Sequence, residues 1–228
     1  MLEHIHRIIR VFAENGLFNE GVEVIGSWCF HMYQKHFGVE EYPFTTQDVD
    51  FLIPRPFKGK EHKDLIHQLE GIGFRTAFAD NGSLYLWNAE LKIEFIVPHK
   101  GAGLEHVVKI RQLGFEVVPL RYVDLLLSNP TTIVESGVKV RMPNPTNFVI
   151  HKLIVALLRK EKDKQSKDLH HAVLTSSIVG EEDLKNQFSV LPKKWKKLVI
   201  TAIDKAEQEF PLLLDKISRL KFTLQAGN

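Results

Sequence analysis

Two short segments of this 228-residue chain constrain its fold more than any others. The first reads Val24-Ile25-Gly26-Ser27-Trp28-Cys29-Phe30. The second, separated from Ser27 by twenty residues, reads Asp48-Val49-Asp50-Phe51-Leu52-Ile53-Pro54. An apolar strand that stops at Gly-Ser gives way to a helix, and the first N–H groups of that helix can meet a phosphate. Gly26 lets such a group come close. On a strand, alternate residues share a face, so Asp48 and Asp50 point together while Val49, Phe51 and Ile53 point the other way. Two carboxylates fixed side by side repel each other unless a cation sits between them. Hard oxygen donors of this kind suit Mg²⁺ or Mn²⁺.

A third acid follows the same logic. In Leu91-Lys92-Ile93-Glu94-Phe95-Ile96-Val97-Pro98, the residues Leu91, Ile93, Phe95 and Val97 alternate as a buried face, which leaves Lys92 and Glu94 opposite. Beside the Asp48–Asp50 strand, Glu94 would join the two aspartates. Three carboxylates at a sheet edge can hold two divalent ions, a pair suited to in-line phosphoryl displacement.

Gly-Ser at a strand end, D-x-D on the next strand and a lone acid on a later one resemble the nucleotidyltransferase superfamily with the polymerase-β-like fold. The resemblance covers roughly residues 20–100. It extends to Asn144-Pro145-Thr146-Asn147-Phe148-Val149-Ile150-His151-Lys152-Leu153, the helical stretch on to Arg159-Lys160, and the later Lys167-Asp168. These are similar to stand-alone bacterial nucleotidyltransferases and to the toxins of type IV abortive-infection systems. The family pattern has about ten residues between Ser and the first Asp, so Gln34–Pro43 is expected to lengthen the helix and loop after Ser27.

The resemblance implies a mixed α/β (α+β) domain over residues 1–144 and a helical domain over 145–228, with the active site in the cleft between them. It implies transfer of a nucleoside monophosphate from an NTP to an acceptor hydroxyl on RNA, a protein or a small molecule. Asp48 and Asp50 are the metal ligands. Glu94 is a third ligand or the general base. Gly26, Ser27 and Lys152 grip the phosphates, and Lys167 and Asp168 add to the nucleotide site. From the residues alone, Lys152 also reads as a surface lysine lying over apolar neighbours, and Asp168 as a helix cap. Two alternatives keep the fold and change the role: a degenerate module that binds without turnover, and the toxin of a toxin–antitoxin pair.

Composition adds exclusions. Apolar residues make up 44% and charged residues 25%, as in ordinary globular proteins. No run approaches the roughly 18 apolar residues of a membrane span, and the N-terminus has no apolar signal region, so a cytoplasmic protein is expected. The single cysteine, Cys29, excludes an internal disulfide and reads as a buried structural thiol. The eleven histidines show no zinc spacing. Residues 1–150 carry 15 basic and 18 acidic side chains and residues 151–228 carry 15 and 10, so the C-terminal part is mildly basic. The cluster Lys193-Lys194-Trp195-Lys196-Lys197 reads as one helix around a tryptophan.

Periodicity predicts helices over 2–14, 28–37, 60–70, 146–160, 167–176, 181–188, 193–208 and 212–218. It predicts strands over 22–25, 48–53, 74–78, 83–87 and 91–97, with a hairpin turn at Asp80-Asn81-Gly82. A second hairpin around Ser136-Gly137 pairs 132–134 with 139–141. Arg121–Leu127 is open to either a short helix or a strand.

Overall fold

The computed structural model describes residues 2–225. Two compact units emerge: the chain up to Cys29 with Pro43–Pro143, and Phe30–Tyr42 with the chain from Asn144 onward.

The first unit is built on a mixed sheet. Its main path runs β1 (Glu23–Ile25), β2 (Asp48–Leu52), β5 (Lys92–Pro98), β4 (Leu84–Trp87), β3 (Arg75–Phe78). Strands β2 and β5 are parallel, with Asp50 opposite Glu94 and Phe51 opposite Phe95. On its other side β5 pairs first with antiparallel β4 and then, from Ile96, with parallel β7 (Phe115–Leu120). Strand β6 (Val108–Ile110) pairs with β7, and β8 (Thr131–Glu135) with β9 (Val138–Met142). In the β8–β9 turn Ser136 and Gly137 have φ of +51° and +80°, as a two-residue primed turn demands.

One face of the sheet is the core. Helix α1 (Leu2–Glu14) places Ile5, Ile8, Ile9 and Phe12 at helical spacing, all buried. The Phe12 ring stacks on Phe51 at 3.7 Å between centroids, and Phe95 lies 6.2 Å away. Full burial of such side chains contributes about 1.5–3 kcal/mol each, which holds the register of β2 against β5.

The second unit is helical. It contains most of α2 (Ser27–Phe37) and the helices α4 (Pro145–Ala156), α5 (Lys162–Thr175), α6 (Glu181–Ser189), α7 (Lys193–Glu209) and α8 (Leu214–Gln225). Asn144 caps α4, its Oδ1 accepting from the Asn147 amide at 2.9 Å, and Pro145 follows at the first helical position. Tyr33 meets Phe148 edge-on at 5.1 Å, and Phe30 stacks on His171 at 4.0 Å.

Several elements differ from their sequence periodicity. The helix expected over 60–70 is α3, Leu65–Gly71. The residues before it have their polar groups engaged elsewhere: the Lys60 amide donates to Glu20 Oε1 and the His62 amide to the Gln112 carbonyl. Helix α5 starts five residues earlier than expected, which moves Asp168 from a cap position into the helix interior. A 3₁₀ turn, Pro211–Leu213, precedes α8, which runs on to Gln225. Residues 123–127 form a 3₁₀ helix, and β6 and β7 carry no periodic signal strong enough to read. The extra residues between Ser27 and Asp48 extend α2 to Phe37 and then form an irregular segment. In that segment Gln34 Nε2 donates to the Glu40 carbonyl at 3.0 Å.

Candidate active site

The sheet face opposite Phe12 carries the acids. On β2, Asp48 is exposed and Asp50 half-buried, while Val49 and Phe51 are fully buried on the core side. Asp50 lies between Ile25 of β1 and Glu94 of β5 in the ladder. Neighbouring strands are about 4.8 Å apart, so the two carboxylates rise from adjacent backbone positions.

The Gly26-Ser27 turn meets this patch directly. Gly26 has φ of +72° and sits against Asp50; a Cβ added there would lie 3.2 Å from Asp50 Cγ and would overlap its Oδ2. Only glycine combines that backbone with that approach. Ser27 opens α2 and is buried. The first turn of α2 has no acidic residue, and Lys35 and His36 stand in its last turn, so its dipole leaves the Ser27 end favourable to an anion. Cys29 is buried with its Sγ 2.9 Å from the Val24 carbonyl, which ties the helix to β1 and gives the thiol a structural place.

Glu94 has a partner that the sequence reading did not assign it. Lys92 Nζ donates to Glu94 Oε1 at 2.5 Å and lies 4.6 Å from the centre of the Tyr85 ring. Lys92 is the ladder partner of Asp48, and Tyr85 that of Glu94. Partial burial works against the Lys92 charge, but the hydrogen bond to Glu94 and the charges of Glu94 and Asp48 outweigh it and raise the ammonium pKa. Among the described residues no three histidine, cysteine, aspartate or glutamate side chains converge on one metal position. Asp48 and Asp50 put their oxygen atoms on one face of β2, and the missing Cβ of Gly26 leaves the place that the Asp50 carboxylate occupies.

The helical unit holds the remaining candidates. Lys152 is 4% exposed, and its Nζ bonds Asp168 Oδ1 at 2.5 Å. Arg159, in the turn after α4, donates from Nε to Asp168 Oδ2 at 2.8 Å. Burial alone would raise the Asp168 pKa; Lys152 and Arg159 reverse that and hold it near 2. Lys152 is therefore buried rather than a surface lysine, and Asp168 lies inside α5 rather than at its cap. Together they form a buried ion pair across α4 and α5. The Arg159 side chain is 45% exposed and extends from this pair. Lys167 is half-buried on α5. Two histidines flank the network. Burial, reinforced by Lys152, pushes His151 down to about 3 and His171 to about 2, so both are neutral.

Sequence reasoning named neither Lys92 nor Arg159 as site residues. Lys92 was visible as the neighbour of Glu94 on one strand face, and Arg159 as the end of the helical stretch bearing Lys152.

Comparison with known proteins follows the same line. The profile of a family described as Nucleotidyltransferase matches residues 3–195. The crystal structure of an antigenic nucleotidyltransferase-like protein from Paracoccidioides brasiliensis is similar at a TM-score of 0.52 and 15% identity. That match covers 95% of this chain and 93% of the other. Two structures of the antibiotic-resistance factor ANT(2'')-Ia match at a TM-score of 0.43 and 14% identity. The solution structure covers 81% of this chain and 87% of that one; the complex with adenylyl-2"-tobramycin covers 80% and 91%. No curated protein sequence matches the chain.

Proposed function

Since this chain belongs to a nucleotidyltransferase family, we propose that it moves a nucleoside monophosphate from an NTP to an acceptor hydroxyl with the help of Mg²⁺ or Mn²⁺. The observation that carries the reading is the seat of Gly26 against Asp50, with Glu94 as the next residue in the ladder. It brings an anion-receptive turn and adjacent carboxylates to one point of the sheet.

In this reading Asp48 and Asp50 hold the divalent ion. When bound, the ion neutralises charge on the transferring phosphoryl group. The Ser27 end of α2 receives the leaving phosphates. The acceptor oxygen bonds to the α-phosphorus, the bond from that phosphorus to the bridging oxygen breaks, and pyrophosphate departs with the electron pair. The acceptor's proton passes to Glu94 and then to solvent. In the helical unit Lys152 and Asp168, with Arg159 bonded to the latter, are the further candidate nucleotide residues. Lys167 remains a candidate nucleotide contact. The acceptor hydroxyl belongs to RNA, a protein or a small molecule, and the toxin reading differs only in the consequence of modifying it. Among the described residues no helix is long and apolar enough to cross a membrane.

Calorimetric titration of the four NTPs, with and without Mg²⁺, into the wild type and Asp50→Ala tests the proposal. Mg²⁺-dependent binding of at least one NTP, lost in the variant, is expected. Binding of no NTP under either condition would turn the assignment to the degenerate module.

A further inference from the structure

Helix α7 carries its charges in the unfavourable order. Its first turns hold Lys193, Lys194, Lys196 and Lys197, while its acids, Asp204, Glu207 and Glu209, lie toward its far end. The helix macrodipole favours the reverse, because the first turn already bears the positive end. Lysines three and four apart also repel one another, as Lys193 does Lys196 and Lys197, and Lys194 does Lys197. Neighbouring α6 follows the rule, with Glu181, Glu182 and Asp183 in its first turn. A local conflict of this kind, kept in an otherwise consistent sequence, points to a position held for function.

Nothing within the chain neutralises these lysines. Among the described residues Lys193, Lys194, Lys196 and Lys197 pair with no carboxylate; Asp204 and Glu207 bond Lys221 of α8 instead, at 2.9 and 2.7 Å. Lys193, Lys194 and Lys197 are exposed, and Lys196 is half-buried with its Nζ 5.4 Å from the centre of the Phe188 ring. At 3.6 residues per turn the four cover an arc of about 160°. Val199, Ala202, Ile203 and Ala206 fall on the other side of the helix and are buried. The cations thus form a water-facing surface on a helix whose apolar side is already packed.

We propose that this face of α7 binds the phosphate backbone of RNA. The inference rests on the nucleotidyl-transfer reading above and names its acceptor class: of RNA, protein and small molecule, RNA alone presents a row of phosphates. Lysine ammoniums suit that backbone as point charges and contact it without regard to sequence. Lysine is depleted from protein–protein interfaces, which argues against a protein in this place. A membrane is disfavoured as well, since an interfacial helix buries its apolar face in lipid and that of α7 is buried within the protein.

The test is fluorescence anisotropy of a labelled single-stranded RNA of mixed sequence and about 20 nucleotides, titrated with the full chain at several salt concentrations. The wild type is expected to bind. Lys193→Gln with Lys194→Gln and Lys197→Gln removes three exposed charges. This variant is expected to lose about tenfold or more in affinity at moderate salt and to flatten the slope of log K against log salt by about 2. A matched variant, Lys100→Gln with Lys109→Gln and Lys139→Gln, removes three exposed charges from the first unit and is expected to bind like the wild type. Circular dichroism establishes that each variant is folded. Equal loss in the two variants, unchanged binding by the α7 variant, or no RNA binding by the wild type overturns the proposal. A wild type that binds phosphatidylserine vesicles and not RNA assigns the face to a membrane and overturns it too. Calorimetry with Mg²⁺ and the NTPs on the same samples keeps the two readings apart. Loss of RNA binding with NTP binding intact strikes the RNA face alone. RNA held without any NTP binding strikes the transfer reading and leaves the α7 face as the RNA contact of a non-transferring module.

Discussion

Gly26 does two things that no other residue could do at its position. Its φ of +72° turns β1 into α2, and its missing Cβ leaves the place occupied by the Asp50 carboxylate. Gly26→Ala therefore strains the backbone by about 1–2 kcal/mol and displaces the carboxylate. The expected result is a modest drop in melting temperature with loss of Mg²⁺-dependent NTP binding, read by thermal denaturation and calorimetry on the same sample. Asp168 behaves differently. It is 1% exposed and faces two cations, so Asp168→Asn leaves Lys152 buried with no carboxylate. Breaking a buried pair on one side costs about 3–5 kcal/mol. Replacing both partners, Lys152→Met with Asp168→Leu, should recover much of that loss. Urea unfolding of the single and double variants checks the pair.

At the level of elements, α1 and the β2–β5 ladder depend on one aromatic stack. Phe12→Ala removes the ring that lies 3.7 Å from Phe51 and should cost about 3–5 kcal/mol. Hydrogen exchange should then quicken first in β2 and β5. These elements were readable from sequence because their periods, 3.6 and 2, are unbroken and each has a single apolar face. The position of Asp48, Asp50 and Glu94 on one sheet face followed from the same alternation. What could not be read depended on distant partners. The start of α3 is delayed by bonds to Glu20 and Gln112. Asp168 looked like a cap because nothing local shows that Lys152, sixteen residues earlier, faces it from another helix. Lys92 was seen beside Glu94, but its hold over Tyr85 depends on the β4–β5 register.

Across the whole molecule, buried titratable groups set the pH response. Burial lifts Glu23 from 4.5 to about 7 against the opposing pull of Arg141. Its folded pKa is the higher one, so the stability it adds is complete below pH 4.5 and is lost as pH rises through 7. Full loss is about 3 kcal/mol. His171 and His151 act in the opposite sense. Their folded pKa values lie near 2 and 3, below the ordinary 6.5, so stability is lost as pH falls below 6.5. Two groups gain between pH 3 and 6.5 while one declines, which puts the stability maximum near pH 6.5. Glu23→Gln should flatten the decline above pH 6.5 and steepen the rise between pH 4.5 and 6.5, where the Glu23 loss opposes the histidine gain, as denaturant midpoints across pH would show.

The alternation in β2 has one more consequence. If the strand slipped by a single residue, Asp48 and Asp50 would be pressed against Phe12, and Val49 and Phe51 would be turned out to water. Such a molecule would lose the core of its first unit along with its acids. The apolar side of the sheet thus acts as a proofreader for the polar side. A copy stable enough to survive in a cell has its carboxylates facing outward, and misassembled copies are removed by their own instability before they can bind a nucleotide wrongly.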